Sequence, residues 1–269
     1  YIIDMQKGIL NECRANGYEL LIHPCDASSR DIIQEILGMV DSARLAGLIL
    51  SPPLSEMPEV LSALDEKGVR YVRILSGSEA LENGPPCVLV NDYQAAYQIT
   101  EHLIQQGHRD IGFIAGEKQH NSTIERQKGF AAALAAHDLP QHPEFVIEGT
   151  YSFGTGVESI EKLLTLPHIP TAVFACNDEI AAGALFGARM RGVDVPATLA
   201  IAGFENSPFS RQTFPPLTTA SQPTDQIAQR ATSTLIQSLK ARKLGNDKQP
   251  IPAHVFVPEL VVRESTNRS

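Results

Sequence analysis

The sequence contains no tryptophan, and its 269 residues carry fewer basic side chains (22 Lys and Arg) than acidic ones (31 Asp and Glu). The formal net charge of −9 makes this chain unsuited to gripping DNA phosphates by itself. No apolar run is long enough to cross a bilayer, and no signal peptide is evident. We therefore expect a cytoplasmic protein without a membrane partner.

Cysteine is scarce as well, and the four residues are scattered along the chain. They form no C-x-x-C motif and no cluster with histidine at metal-ligand spacing. The pattern predicts free, mostly buried thiols in a reducing compartment, and neither a disulfide framework nor a metal site. The four are Cys13, Cys25, Cys87 and Cys176.

Sequence motifs that indicate catalysis are also missing. There is no G-x-x-x-x-G-K-[ST] phosphate loop and no G-x-S-x-G nucleophile elbow. Gly154-x-Gly156 lacks the third glycine of a dinucleotide fingerprint and begins several residues past its strand. The eight histidines are dispersed. We predict that the chain is not an enzyme and needs no cofactor.

What is present is an alternation of helical and strand-like segments. The first helix, "YIIDMQKGILNECRANG", is followed by a predicted strand, "YELLIHP", then by "RDIIQEILGMVDSAR" and "AGLILSPP". The strands lack polar alternation, which is typical of parallel sheets covered on both faces. Because a βαβ crossover begins with a strand, we expect one before Tyr1.

Two such series lie end to end and break near residues 91 to 108. The sequence therefore predicts an α/β protein with two doubly wound parallel-sheet subdomains. We place the first in residues 1–107 and 223–252, and the second in residues 108–222 and 253–269. No low-complexity linker separates them, so we expect more than one strand to cross between the subdomains.

Ligands of open α/β sheets bind beyond the carboxyl ends of the strands, and polar residues fall there. Several have ordinary roles open to them: Ser122 and Glu125 fit a capping box, and Asp178 fits a helix N-cap, with Asn177 as the alternative for the same turn. Together they suit a small polar ligand with an aromatic cover. The candidates after successive strands are Ser122, Arg126, Tyr151, Asn177, Glu205 and Gln222.

Arg126 is the most informative of these residues. It lies near the start of a predicted helix, where the helix dipole disfavours a cation. An exposed charge or a partner for Glu125 is one explanation. The other is that its guanidinium holds ligand hydroxyls or a carboxylate, with Glu205 accepting from the opposite side. On the second explanation, Arg126→Ala abolishes ligand binding and leaves the fold intact.

Six motifs in order resemble the lactose-repressor/galactose-repressor (LacI/GalR) family of bacterial transcription regulators. They are "ITEHLIQQGHRDIGFIAG", "STIERQKGFAAAL", "PTAVFACNDEIAAGAL", "GVDVPATLAIAGFENS", "FPPLTTASQP" and "PELVVREST". The resemblance covers essentially the whole chain. It implies a periplasmic-binding-protein-like type I fold with three crossover strands and an effector in the cleft between subdomains. It also implies a DNA-binding headpiece that this chain lacks.

The resemblance also assigns roles to single residues. Arg126 matches the arginine that grips the effector, and Tyr151 matches an aromatic that stacks on it. Ser122 and Asn177 occupy polar contact positions, and Gln222 lies at a crossover. Tyr1 matches an aromatic that some members use for stacking. Glu205 departs from the aspartate that most members carry, and no contact is assigned to the "VND" segment at residues 90–92.

The function implied is the effector-sensing and dimerisation core of a regulator, which we expect to be a repressor. Its partners would be a mono- or disaccharide effector, a second copy of the chain, and operator DNA bound through the headpiece. An alternative is the solute-binding protein of a sugar transporter, which would need a secretory signal but not "PPLTT" or "VVREST". An α/β enzyme acting on a sugar or nucleotide would reveal itself by turnover.

Overall fold

A computed structural model of the protein describes residues 2–79, 84–246 and 251–267. Within those ranges no helix is both long and apolar enough to cross a membrane. The helices in chain order are α1 (Ile2–Ala15), α2 (Ile32–Ala43), α3 (Pro58–Glu66), α4 (Asp92–Gln105), α5 (Asn121–Ala136), α6 (Phe153–Leu164), α7 (Asp178–Met190), α8 (Pro208–Gln212) and α9 (Thr224–Lys243).

The strands are short and mostly buried, as expected for sheets covered by helices. They are β1 (Leu48–Leu50), β2 (Tyr71–Ser76), β3 (Cys87–Val90), β4 (Ile111–Ile114), β5 (Val146–Ile147), β6 (Ala172–Ala175), β7 (Ala200–Ala202), β8 (Thr219–Ser221), β9 (His254–Phe256) and β10 (Glu259–Val261). Short 3₁₀ turns at Leu54–Glu56 and Pro143–Phe145 complete the elements.

The chain divides into two compact units, and it passes between them three times. The first unit comprises residues 1–90 and 223–256, and the second comprises 91–222 and 257–269. These boundaries differ from the predicted ones. Residues 91–107 carry α4, which packs extensively on α5 and so lies in the second unit. Residues 254–256 form β9, which pairs with β3 and so lies in the first.

The first unit is a parallel sheet in the order β1-β2-β3-β9. Successive side chains of β2 point to opposite faces of the sheet and so join two different hydrophobic clusters. Val72 and Ile74 pack in the cluster that contains residues of α1 and α9, whereas Tyr71 packs in the cluster that contains residues of α2 and α3. The sheet is therefore covered on both faces, as predicted.

The predicted strand "YELLIHP" is absent: residues 18–24 form no ladder with any described strand. They line an apolar cavity of about 330 Å³, together with Met5, Ile36, Leu48 and Leu235. A strand needs a neighbour for its backbone hydrogen bonds, and no described strand pairs with this segment.

The second unit is a parallel sheet in the order β5-β4-β6-β7. Its helices pack in pairs, α4 with α5 and α6 with α7. Phe113 lies at the centre of the core, with ring centroids 5.3 Å from those of both Phe130 and Phe174. Parallel sheets in two units confirm the predicted α/β fold class.

The end of the chain is joined to the second unit by a small antiparallel sheet of β8 and β10. The predicted strand 217–221 forms at Thr219–Ser221. Its preceding residue Thr218 is buried and donates to the Arg263 carbonyl at 3.0 Å. Ser265 donates to the Ile201 carbonyl at 2.6 Å. These bonds give the "VVREST" segment a structural role. All four cysteines are free.

Candidate functional site

Arg126 is buried at the carboxyl edge of the second unit's sheet, with only 4% of its surface exposed. Its Nε donates to Asp92 Oδ1 at 2.7 Å, and its Nη1 donates to the Cys176 carbonyl at 2.6 Å. The guanidinium carbon lies 3.7 Å from the centre of the Phe204 ring, a cation–π contact. Residues following three different strands therefore hold the guanidinium in one orientation.

The charge of Arg126 is secured despite its burial. Burial by itself lowers the pKa of the guanidinium, but the attraction of Asp92 outweighs it, and the pKa lies above its usual value. An arginine has five N–H donors, and described residues accept hydrogen bonds from two of its nitrogens, one bond each. Three donors therefore remain for another partner, which is an arrangement suited to ligand oxygens.

Tyr151 and Ser122 meet beside this arginine. The Tyr151 hydroxyl lies 2.7 Å from the Thr123 hydroxyl and 3.1 Å from that of Ser122. Burial raises the pKa of Tyr151, so the phenol keeps its proton. A side chain at Gly116 would collide with the ring, since its Cβ would lie 2.5 Å from two ring atoms. The glycine thus makes room for the aromatic.

The capping box predicted for α5 is wrong. The helix begins at Asn121, and its N-cap residue, His120, makes no side-chain capping bond. Ser122 lies inside the first turn, and Glu125 pairs instead with Lys128 at 2.7 Å. Because Ser122 is not used as a cap, its hydroxyl is directed to the tyrosine.

Asn177, not Asp178, caps α7, which also corrects the sequence prediction. The Asn177 Oδ1 accepts from the Ile180 N–H at 2.9 Å. Asp178 is fully buried and accepts from the Thr219 hydroxyl and the Ser207 N–H, both at 2.6 Å. Burial raises the pKa of Asp178 to about 6 although these bonds oppose the shift.

Glu205 has an unusual backbone with a φ of 103°, which is rare for a residue with a side chain. Its N–H donates to the Ala220 carbonyl at 2.8 Å, and it forms a β-bridge with Ser221. Burial raises the pKa of Glu205 to about 7, while Arg126 opposes the shift. Its carboxyl group makes no hydrogen bond with another described residue. A strained, half-buried acid of this kind is typical of a functional position.

The structure thus brings five of the predicted site residues to one edge of the second unit: Ser122, Arg126, Tyr151, Asn177 and Glu205. Gln222 directly follows β8, next to Ser221. Tyr1 lies outside the described residues. Their assignment as ligand contacts remains a prediction.

Three residues of this site, Asp92, Thr123 and Phe204, were not predicted from the sequence. Asp92 is the second residue after β3, following Asn91, so its place near a strand end was a usable signal. Thr123 and Phe204 also follow strands, but each resembles an ordinary helix or core residue in the sequence. Only the folded chain shows that they contact the tyrosine and the arginine.

Metal-ligating side chains gather elsewhere. Within the described ranges, two groups have ligand atoms within 4.8 Å of one another, and neither involves the arginine edge. This corrects the prediction that Cys25 has no histidine near it. The groups are His23, Cys25 and Glu35 in the first unit, and Asp110, His142 and His168 in the second.

Comparison with known proteins gives consistent results. Residues 100–266 match the periplasmic binding protein-like domain family. The HTH-type transcriptional repressor PurR of Actinobacillus pleuropneumoniae is 30% identical over 98% of this chain and 77% of its own length. A transcriptional regulator CelR–cellobiose complex superposes with a TM-score of 0.87 at 26% identity, covering 98% of this chain and 78% of that one. For transcription regulator CcpA of Lactococcus lactis the TM-score is 0.84 at 25% identity, covering 99% and 94%.

The two parallel-sheet units and the matched domain define a periplasmic-binding-protein-like domain. The chain belongs to the LacI/GalR family of transcriptional regulators and corresponds to the effector-binding core of such a regulator. The named relatives are transcriptional regulators, not enzymes. This agrees with the family that the six sequence motifs indicated.

Proposed function

We propose that this core binds a neutral, hydroxyl-rich effector, a mono- or disaccharide, at the Arg126 edge and thereby controls operator binding by the intact regulator in the cytoplasm. The observation that carries the proposal is the fixed guanidinium, which has three N–H donors that no described residue engages. Glu205 supplies an acceptor beside it, and the Tyr151 ring an apolar surface. Such a set matches the alternating hydroxyl and C–H faces of a sugar.

The charge balance at this edge favours a neutral ligand over a phosphate. Two carboxyl groups, those of Asp92 and Glu205, interact electrostatically with Arg126, and Asp178 adds a third carboxyl group near Glu205. The neighbouring Arg263 is already engaged, donating to Asn206 at 2.6 Å and to the Leu217 carbonyl at 2.7 Å. An added anion would meet net repulsion. The cellobiose bound by one relative supports a sugar as the ligand class.

The regulatory step follows from linkage. A ligand that binds one conformation of the core more tightly than another shifts the population toward that conformation. Effector binding then changes the fraction of regulator able to bind DNA. In this scheme the core supplies the selectivity for the effector, and the DNA-binding segment of the intact protein supplies the positive charge that this chain lacks.

We further propose a symmetric homodimer, supported by an exposed apolar patch on the second unit. Phe186 and Met190 lie one turn apart on α7 and are 49% and 70% exposed. Phe214 is 75% exposed, with the Arg189 guanidinium 5.5 Å from its ring. Exposed apolar patches mark association surfaces. Met190→Glu should halve the mass measured by sedimentation, whereas Leu244→Glu, at an exposed position of the first unit, should not.

The effector proposal is tested by a thermal-shift screen of sugars, sugar phosphates, nucleosides and purines. A ligand at a hundred times its Kd should add about 2.7 kcal/mol of stability. For the best ligand, Glu205→Gln should weaken the affinity measured by calorimetry at about pH 8, where Glu205 is ionised, about 10- to 100-fold, because a charge-assisted bond contributes about 1.5–3 kcal/mol. Glu148→Gln, at an exposed position, is the matched control.

The outcomes separate the parts of the proposal. A sugar whose affinity falls in Glu205→Gln but not in Glu148→Gln supports both the class and the place. A purine, nucleoside or sugar phosphate as the best ligand would show the sugar assignment to be wrong. Equal affinity in both variants would place the ligand away from Glu205.

A further inference from the structure

Three metal-ligating residues of the second unit lie at the amino ends of its strands, the edge opposite Arg126. Asp110 directly precedes β4, and His142 precedes the 3₁₀ turn that leads into β5. His168 lies in the loop between α6 and β6. Since β5, β4 and β6 are neighbours in one parallel sheet, their amino ends meet. We propose that Asp110, His142 and His168 form a Zn²⁺-binding site.

The distances between the ligand atoms fit one metal ion. His168 Nε2 lies 3.2 Å from Asp110 Oδ1, and His142 Nε2 lies 3.7 Å from the same oxygen. All three ligand atoms fall within 4.8 Å of one another. Two ligands bound to tetrahedral zinc at about 2.0–2.1 Å are separated by roughly 3.3 Å. Small side-chain adjustments therefore suffice to bring the three atoms to one ion.

The surrounding residues hold these ligands in place. The Asp110 carbonyl accepts from the Thr171 N–H at 2.8 Å, which ties Asp110 to the segment that carries His168. The buried Phe145 ring lies 4.8 Å from the His142 ring and 5.4 Å from the His168 ring, between centroids. The site is therefore largely formed before an ion arrives.

A fourth residue completes the environment of the metal. Glu144 Oε1 lies 3.7 Å from Nδ1 of His142, the ring nitrogen that is turned away from Asp110. A carboxylate that accepts a hydrogen bond from the far side of a liganding histidine fixes its orientation and strengthens it as a donor, and a small movement of Glu144 would close this bond. The three ligands leave one tetrahedral position for water or another donor.

The chemistry of the donors selects the metal. Two imidazole nitrogens and one carboxylate suit zinc and its neighbours, whereas Mg²⁺ and Ca²⁺ prefer oxygen ligands. The other group is less suitable because His23 Nε2 and Glu35 Oε1 are 2.6 Å apart. That separation is a closed hydrogen bond, too short for two ligands of one ion. In the Asp110 group, no hydrogen bond joins the three side chains within the described residues.

The test is a Zn²⁺ titration of this chain against a chromophoric chelator, with Co²⁺ as a spectroscopic probe. We expect one ion per chain and the intense visible absorption of four-coordinate Co²⁺. His142→Ala and His168→Ala should each weaken Zn²⁺ binding at least tenfold. His137→Ala is the matched control, because its Nε2 faces a single carboxylate, Glu101, at 3.6 Å. It should bind Zn²⁺ like the parent.

Four other results would contradict the proposed site. The first two are that the chain binds no Zn²⁺ and that Co²⁺ gives the weak spectrum of a six-coordinate ion. The other two are that both histidine variants bind Zn²⁺ as tightly as the parent and that His23→Ala loses binding instead. His168 is 54% exposed, so its replacement leaves the core untouched. Circular dichroism checks the fold of each variant. If His142→Ala fails to fold, the Zn²⁺ affinity of His168→Ala alone tests the proposed site.

Discussion

The Arg126 Nε donates to Asp92 Oδ1 across 2.7 Å, and the two side chains are only 5% and 3% exposed. The pair links α5 to the first turn of α4, so the arginine at the candidate site is also part of the fold. The sequence-based expectation that Arg126→Ala leaves the fold intact is therefore revised. Removing the cation leaves the Asp92 carboxylate buried without the attraction of Arg126.

We expect Arg126→Ala to lower the free energy of unfolding by about 3–5 kcal/mol, the usual cost of breaking a buried ion pair. Urea denaturation measures it. The double variant Arg126→Ala/Asp92→Ala should lose less than the sum of the two single variants, because it removes both charges of the pair together. Lys128→Ala breaks the exposed pair with Glu125 and should cost less than about 1 kcal/mol. If Arg126→Ala and Lys128→Ala lowered the free energy of unfolding equally, the buried pair of Arg126 and Asp92 would not be an important source of stability.

Glu205 should make stability depend on pH. Burial raises its pKa from 4.5 to about 7, so between these values the native protein holds a proton that the unfolded chain has released. Stability from this group is complete below about pH 4.5 and is lost as the pH rises through about 7. In Glu205→Gln the free energy of unfolding should fall less as the pH rises, and the difference from the parent should be at most about 3 kcal/mol. Urea denaturation at a series of pH values measures it.

The control for this prediction is Glu148→Gln, since Glu148 is 74% exposed on its side chain. A residual slope should remain in Glu205→Gln, because burial also raises the pKa of Asp178 to about 6. If the pH profiles of the parent and Glu205→Gln are parallel, the carboxyl of Glu205 titrates normally and its burial has no energetic consequence.

Much of the fold was predictable because the buried strands are continuous apolar runs. "CVLV", "IGFI" and "AVFA" form β3, β4 and β6. The candidate site followed from one rule, that residues after parallel strands share an edge. This rule grouped Arg126 with Asn177 and Glu205, and the structure brings these residues to one edge.

The remainder depended on contacts between distant segments. Asn177 and Asp178 can each cap α7 in sequence, and the prediction favoured Asp178. Asn177 is the cap because Thr219 and Ser207 engage Asp178. The partner of Arg126 depends on the approach of α4 to α5. "YELLIHP" has the composition of a strand, yet pairing requires a neighbour that its sequence cannot specify.

Gly183 sets the distance between α6 and α7, and we predict that its replacement is costly. A Cβ at Gly183 would lie 2.0 Å from the Phe153 carbonyl oxygen, a rigid backbone atom. Gly183→Ala must therefore push the helices apart, at a cost of about 1–3 kcal/mol or more in urea denaturation. Because Asn177 caps α7, the same displacement should also weaken effector binding.

Gly38 provides the matched control, because it lies inside α2 and a Cβ there would meet no atom within 4 Å. Gly38→Ala should stabilise the protein by about 0.5–1 kcal/mol, through the reduced backbone entropy of alanine. Helix propensity favours both replacements equally, so the opposite sign at Gly183 isolates the contact between the two helices. Stabilisation by both variants would mean that α6 and α7 can separate without cost, and that the close approach at Phe153 does not position the capped end of α7 beside Arg126.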